Sequence, residues 1–236
     1  MKQEILGVSV SDLTYESLIN NIDKDINENK KSFIVAVNPE KIMKAQNSPE
    51  LKTLLNSATY QIPDGIGVII ASKLKKGTIT NRITGIDLMM RICLYASNNK
   101  KRIFLYGAKP GVAEEAKERL EETFPGVQIV GTQHGYEADE DKVIEQINNV
   151  NPDILFVAMG SPNQENWIIR NMGRLQVNIF QGVGGSFDVI CGNTKRAPKS
   201  FRNLGLEWLY RLITEPQRFK RQLALPKFLY KILKTS

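Results

Sequence analysis

Apolar residues in this chain of 236 gather into short runs rich in β-branched and aromatic side chains, each followed by a turn and then by apolar positions at helical spacing. The runs at 33–37, 102–106, 127–131, 153–159 and 177–181 predict strands. Helical periodicity is clearest over 14–29, 86–98, 111–124, 139–150 and 164–172. This alternation predicts an α/β fold, a mostly parallel, Rossmann-like sheet with helices on both faces. Between 38 and 83 the pattern is less regular, with two proline-bearing turns, a helical stretch over 48–57 and an apolar-polar run over 58–62. No internal repeat or low-complexity linker is present.

Composition shifts near 192–198, which predicts a core over 1–195 and a basic, amphipathic C-terminal appendage over 196–236. The appendage holds ten Lys and Arg against two Glu, whereas the core, with 22 basic and 23 acidic residues, is nearly neutral. Trp208, Tyr210, Phe219, Leu223, Phe228, Leu229, Ile232 and Leu233 stand among those cations. A segment both cationic and apolar suits a phospholipid headgroup layer. It is greasier than a phosphate-backbone groove needs, so the expected partner is an anionic membrane surface and no nucleic acid. Pro216 suits a helix start, Arg218, Lys220, Arg221, Lys227 and Lys231 are candidates to face lipid phosphates, and Pro226 is expected to kink or divide the stretch. The alternative is a terminal helix packed on the body or on a neighbouring subunit. A homo-oligomer that hides the apolar side until membrane is met accommodates both.

Cys93 and Cys191 match neither a disulfide framework nor a zinc spacing, and His134 is the single histidine, so a reducing compartment is expected. The N-terminus turns polar after MKQEILGVSV, and the longest apolar runs fall far short of the roughly 18 residues of a membrane span. The expected location is cytoplasmic, peripheral on the inner face of the cell membrane.

Three predicted strand ends open into glycine: Tyr106-Gly107-Ala108-Lys109-Pro110-Gly111, Met159-Gly160-Ser161-Pro162 and Gly182-Val183-Gly184-Gly185-Ser186. In a parallel sheet these ends share one edge, where backbone N–H groups and helix N-termini receive phosphate. Close packing explains any one of them; three together predict a nucleotide or diphosphate at Gly107, Gly111, Gly160, Gly184 and Gly185, although none forms a Walker loop or a full G-x-G-x-x-G. Tyr136 either stacks on a base or closes the core, and His134 beside it reads as structural. Asp64, in Pro63-Asp64-Gly65, is either a routine turn residue or a general base on the sheet's rim. Arg82 and Asp87 bracket Gly85 as a cation and a second carboxylate, with helix capping the competing role for Asp87. Gln164 and Glu165 begin a helix behind the second glycine turn, where they cap it or point at the site. Asp23-Lys24-Asp25 and Asp139-Glu140-Asp141 look like metal-binding Asp-x-Asp strings, but they lie within one helix and at the start of another, where acidic residues favour the dipole. No metal or other cofactor is expected.

Asn38-Pro39-Glu40, Pro63-Asp64-Gly65, Arg82-x-x-Gly85-x-Asp87, Tyr106-Gly107 with Pro110-Gly111, Asn151-Pro152-Asp153, Gly160-Ser161-Pro162-x-Gln164-Glu165, the Gly182 to Asp188 string and Arg196-Ala197-Pro198 follow one another along nearly the whole chain. In this order they resemble the WecG/TagA/CpsF family of bacterial glycosyltransferases. The resemblance implies inverting, metal-independent transfer of N-acetylmannosamine from UDP-ManNAc to the 4-hydroxyl of GlcNAc-diphospho-undecaprenol, a β-1,4 linkage, in wall teichoic acid linkage-unit synthesis. It implies Asp64 as the catalytic base, Arg82 at the diphosphate, and Asn38, Asp87, Gln164 and Glu165 as substrate contacts. Asp188 joins the nucleotide set, and Arg202 and Arg211 reach the site when the tail docks. One departure is Ala36, where many members carry Thr two residues before the asparagine. Siblings that move N-acetylmannosaminuronic acid or glucose, and a nucleotide-sensing adaptor that binds lipid or RNA, are the competing readings.

Overall fold

The computed structural model describes residues 1–214 and 224–235. An antiparallel hairpin of β1 (Lys2–Ile5) and β2 (Val8–Ser11) precedes α1 (Tyr15–Asn27), whose first turn is closed by a capping box between Thr14 and Ser17. The chain then enters a sheet through β3 (Ser32–Val37) and adds β4 (Tyr60–Pro63) outside it. β5 (Arg102–Gly107) and β6 (Gln128–Gln133) build the opposite edge, and β7 (Ile154–Ala158) and β8 (Ile179–Gly182) fill the gap. The order is β4-β3-β8-β7-β5-β6, and every pairing is parallel. The expected α/β architecture is therefore the one observed.

Strand side chains alternate between two apolar layers, so Phe33, Val35 and Val37 face one and Ile34 the other. The first layer is covered by α2 (Pro39–Ala45), α3 (Pro49–Ser57), α4 (Ile66–Leu74), α7 (Glu140–Asn149) and α8 (Asn163–Asn171). The second is covered by α1, α5 (Gly85–Asn98), α6 (Val112–Thr123) and α9 (Ser186–Ile190). Short helices α10 (Lys199–Asn203) and α11 (Glu207–Thr214) follow.

The irregular region from 38 to 83 resolves into three helices and an edge strand. Two of its three prolines are helix starts: Asn38 caps α2 with Pro39 after it, and Ser48 caps α3 with Pro49 after it, while Pro63 ends β4. α4 begins at Gly65, whose φ of +100° is open to glycine and strained for other residues.

The C-terminal helix α12 (Ala224–Lys234) lies against α2 and α4 and sinks Phe228 and Ile232 completely into the first layer. A side chain on Gly67 would meet Leu225 at 2.5 Å and Pro39 at 2.6 Å, so glycine permits this close approach. Lys231 donates to the Gln46 carboxamide at 3.1 Å, while Lys227, Tyr230 and Leu233 are exposed. Pro226 is the third described residue of α12, and the helix runs on from it to Lys234 without a break. Pro216, Arg218, Phe219, Lys220, Arg221 and Leu223 lie outside the described residues. Among the described residues no helix is long and apolar enough to cross a membrane.

Candidate active site

The carboxyl ends of β3, β4, β7 and β8 open into a cleft of about 440 Å³, on the rim where parallel sheets bind ligands. From α2 come Asn38 and Lys41; from the turn after β4 comes Asp64; Arg82 and Thr84 precede α5. Ser161 and Gln164 enter from the start of α8, and Gly182 to Ser186 with Asp188 from the end of β8 and α9. The far wall is C-terminal: Arg196, Gly205, Glu207, Trp208 and Leu225.

Hydrogen bonds fix these groups. The N-terminal half of the rim is set by Asp64, whose N–H donates to the Val37 carbonyl at 2.8 Å, and by Asn38, whose side-chain oxygen accepts from Lys41 N–H at 2.9 Å. On the opposite side, Arg82 is engaged twice by the C-terminal wall. Its guanidinium pairs with the Glu207 carboxylate and donates to the Arg202 carbonyl at 3.2 Å. Asp87 accepts from Thr84 Oγ1 at 2.6 Å and from Arg196 Nη2 at 2.7 Å. Burial works against the charge of Asp87, but these two donors and the nearby Arg202 outweigh it and hold the carboxyl below the usual carboxylate range. Thr84, rather than Asp87, caps α5 by accepting from the Asp87 N–H. Asp87 instead anchors Arg196 on the cleft wall. The Nε atoms of Arg196 and Arg202 are buried and have no hydrogen-bond partner among the described residues.

Of the residues singled out in the sequence, Asn38, Asp64, Arg82, Gln164, Gly184, Gly185 and Asp188 share this cleft, and Ser161 lines it beside Gly160. Gly107, Gly111 and Tyr136 are not among its lining residues. Packing accounts for Gly107, because a Cβ there would meet the Ala158 carbonyl oxygen at 2.5 Å. Tyr136 is 68% exposed and so does not close the core. Glu165 is fully buried beneath Gln164 rather than lining the cleft. Arg202 meets the site through its carbonyl, and the Arg211 side chain is outside the described residues. Lys41, Arg196 and Glu207 carry cleft geometry that the sequence reading did not assign. Lys41 directly follows the Asn38-Pro39-Glu40 string and Arg196 opens the Arg196-Ala197-Pro198 string, so position within a motif was the available signal. Glu207 has none, since its partner lies 125 residues away.

Among the described residues, no three His, Cys, Asp or Glu side chains gather as metal ligands would. Within the Asp-x-Asp strings, Asp23 accepts from Tyr95 OH at 2.6 Å, Asp25 from Ser32 and Tyr60, and Asp139 caps α7.

Residues 3–236 match the family model described as the glycosyl transferase WecG/TagA/CpsF family. A Bacillus spizizenii (strain W23) protein named N-acetylglucosaminyldiphosphoundecaprenol N-acetyl-beta-D-mannosaminyltransferase is 43% identical over 209 residues, covering 89% of this chain and 81% of that protein. Proteins of the same name from Bacillus subtilis (strain 168) and Staphylococcus aureus (strain NCTC 8325) are 39% and 37% identical. The first covers 92% of this chain and 86% of its own length, the second 99% and 92%.

Proposed function

The chain belongs to the WecG/TagA/CpsF family of glycosyl transferases, and from that premise we propose that it transfers N-acetylmannosamine from UDP-ManNAc to the 4-hydroxyl of GlcNAc-diphospho-undecaprenol, with inversion and without a metal ion. The observation that carries the reading is one cleft on the sheet's carboxyl edge that holds a carboxylate, Asp64, together with the guanidinium groups of Arg82 and Arg196. The names of the relatives support the donor sugar and the lipid-linked acceptor.

In this mechanism the acceptor hydroxyl attacks the anomeric carbon in line as UDP departs. A sugar alcohol is a poor nucleophile at neutral pH, so Asp64 accepts its proton as the new bond forms, a contribution of about 10²–10⁴ in rate. The leaving diphosphate gains negative charge, and Arg82, Arg196 and the N–H groups of the Gly184-Gly185 turn stabilise it, at about 3 kcal/mol for each well-placed donor. Asn38 and Gln164 position the sugars. The acceptor's polyprenyl chain is dissolved in a bilayer, so the enzyme works peripherally at the inner membrane face. Support for that location comes from Tyr230 and Leu233, which are exposed on α12 between Lys227 and Lys234.

The test is UDP release from UDP-ManNAc with the lipid-linked acceptor, in EDTA, for the natural chain and Asp64→Asn. The expected result is turnover by the natural chain and at least a 100-fold loss in the variant, with UDP affinity, measured calorimetrically, nearly unchanged. Absence of turnover with a verified acceptor overturns the assigned substrates. Turnover that requires added Mg²⁺ overturns metal independence, and near-natural activity of Asp64→Asn removes Asp64 from its role.

A further inference from the structure

Between Lys41 on the cleft wall and Glu165 buried behind it lies an ion pair that none of the proposed chemistry uses. Lys41 Nζ, on a side chain 12% exposed, sits 2.7 Å from Glu165 Oε1, on a side chain 0% exposed. The same carboxylate oxygen accepts from Gln164 Nε2 at 3.1 Å, and Gln164 Oε1 accepts from the Gly184 N–H at 2.9 Å. Four groups therefore form one wire that ties α2, α8 and the turn after β8 together. Gly182 leaves room for it, since a Cβ there would lie 2.5 Å from Gln164 Nε2.

The wire settles which way the Gln164 carboxamide faces. Turned over, its oxygen would oppose the Glu165 carboxylate and its NH₂ would oppose the Gly184 N–H, acceptor on acceptor and donor on donor. Glu165 thus orients Gln164, Gln164 engages Gly184, and the glycine turn that lines the cleft is held in one shape. Lys41 supplies the countercharge that a fully buried carboxylate requires. Burial of this kind is costly, and a buried ion pair can often be exchanged for apolar side chains of similar volume with no loss of stability. A purely architectural pair is in that sense replaceable.

We infer that Lys41 and Glu165 are positioning residues for the donor subsite, acting through Gln164 on the Gly184 turn and not on substrate directly. This rests on the proposed role of the turn in holding the donor diphosphate.

The experiment compares the natural chain with Lys41→Met, the double variant Lys41→Met with Glu165→Leu, and Gln164→Ala. Three readouts are taken: thermal stability, hydrogen exchange and chemical shift of the Gly184 amide, and UDP affinity with kcat/KM. Lys41→Met strands a buried carboxylate and is expected to melt well below the natural chain, and the double variant is expected to recover that loss. With stability recovered, the Gly184 amide is still expected to exchange at least 10-fold faster, and UDP affinity and kcat/KM to stay at least 10-fold down. Adding Gln164→Ala to the double variant is expected to change Gly184 amide exchange little further, because both changes break one wire, while kcat/KM falls further through the lost sugar contact.

Recovery of UDP affinity and kcat/KM along with stability overturns the inference, as does an unchanged Gly184 amide in the double variant. Failure of the underlying function is separately visible. In that case the natural chain shows no UDP binding or turnover, while the Gly184 amide, which is read without any ligand, still responds to the pair.

Discussion

Glu207 stands where the donor's charge is proposed to go. Its carboxylate pairs with Arg82, and the two side chains are 21% and 17% exposed. At an effective dielectric of about 20, unit charges about 4 Å apart attract by about 4 kcal/mol. Dehydration of both groups and ordering of the side chains offset much of that, leaving about 1–2 kcal/mol, somewhat above the 0–1 kcal/mol typical of exposed pairs. A diphosphate that takes Arg82 must first displace Glu207, so its apparent affinity is reduced by the net strength of the pair. Glu207→Gln removes the competing charge and is expected to tighten UDP binding by about 5- to 30-fold, the factor that 1–2 kcal/mol represents. Isothermal titration of UDP into both proteins at fixed ionic strength measures it, and added salt should narrow the difference. If the folded variant binds UDP no more tightly than the natural chain, the competition does not exist. If it binds more weakly, Glu207 positions Arg82 instead of blocking it, which equally refutes the reasoning.

Phe228→Ala empties a fully buried site under α12 and is expected to cost about 3–5 kcal/mol, read as faster hydrogen exchange throughout that helix and a lower melting temperature. Asp87, held below the usual carboxylate range in the folded protein, contributes stability that is complete above its unfolded value of about 3.9 and is lost as pH falls through the folded value. The melting-temperature gap between the natural chain and Asp87→Asn should therefore be widest near pH 7 and close as pH drops below about 4; a gap that persists at the acid end would remove the charge argument.

Where apolar periodicity coincided with burial, the sequence was readable. Five of the strands in the six-stranded sheet lie within a residue or two of the predicted runs; four of them, including Arg102–Gly107 and Ile154–Ala158, are central parallel strands, which are apolar on both faces, and the fifth is the edge strand Gln128–Gln133. The helix Ile66–Leu74 was not readable, since Ile66-Gly67-Val68-Ile69-Ile70 is β-branched and apolar and lacks a polar face. Contact with β1 of the hairpin and with α12 packs it as a helix. The N-terminal hairpin was missed because its turn is Leu6-Gly7, both at positive φ, rather than the Asn-Gly that announces such turns. In the site, motif residues such as Asp64 and Gln164 were legible, whereas pairings over long separations were not. Arg196 with Asp87 spans 109 residues and Lys41 with Glu165 spans 124, and no local pattern encodes either.

The docking of α12 changes what a deletion can teach. A chain cut near Gly192 would lose not only a tether to lipid but also a structural wedge. It would uncover the apolar backs of α2 and α4 where Phe228 and Ile232 sit, and it would release Asp87 from Arg196 and Arg82 from Glu207. Inactivity of such a fragment would report a collapsed scaffold as readily as a missing anchor. Tyr230→Ser with Leu233→Ser dissects the two, because both residues are more than half exposed and their replacement leaves the wedge seated.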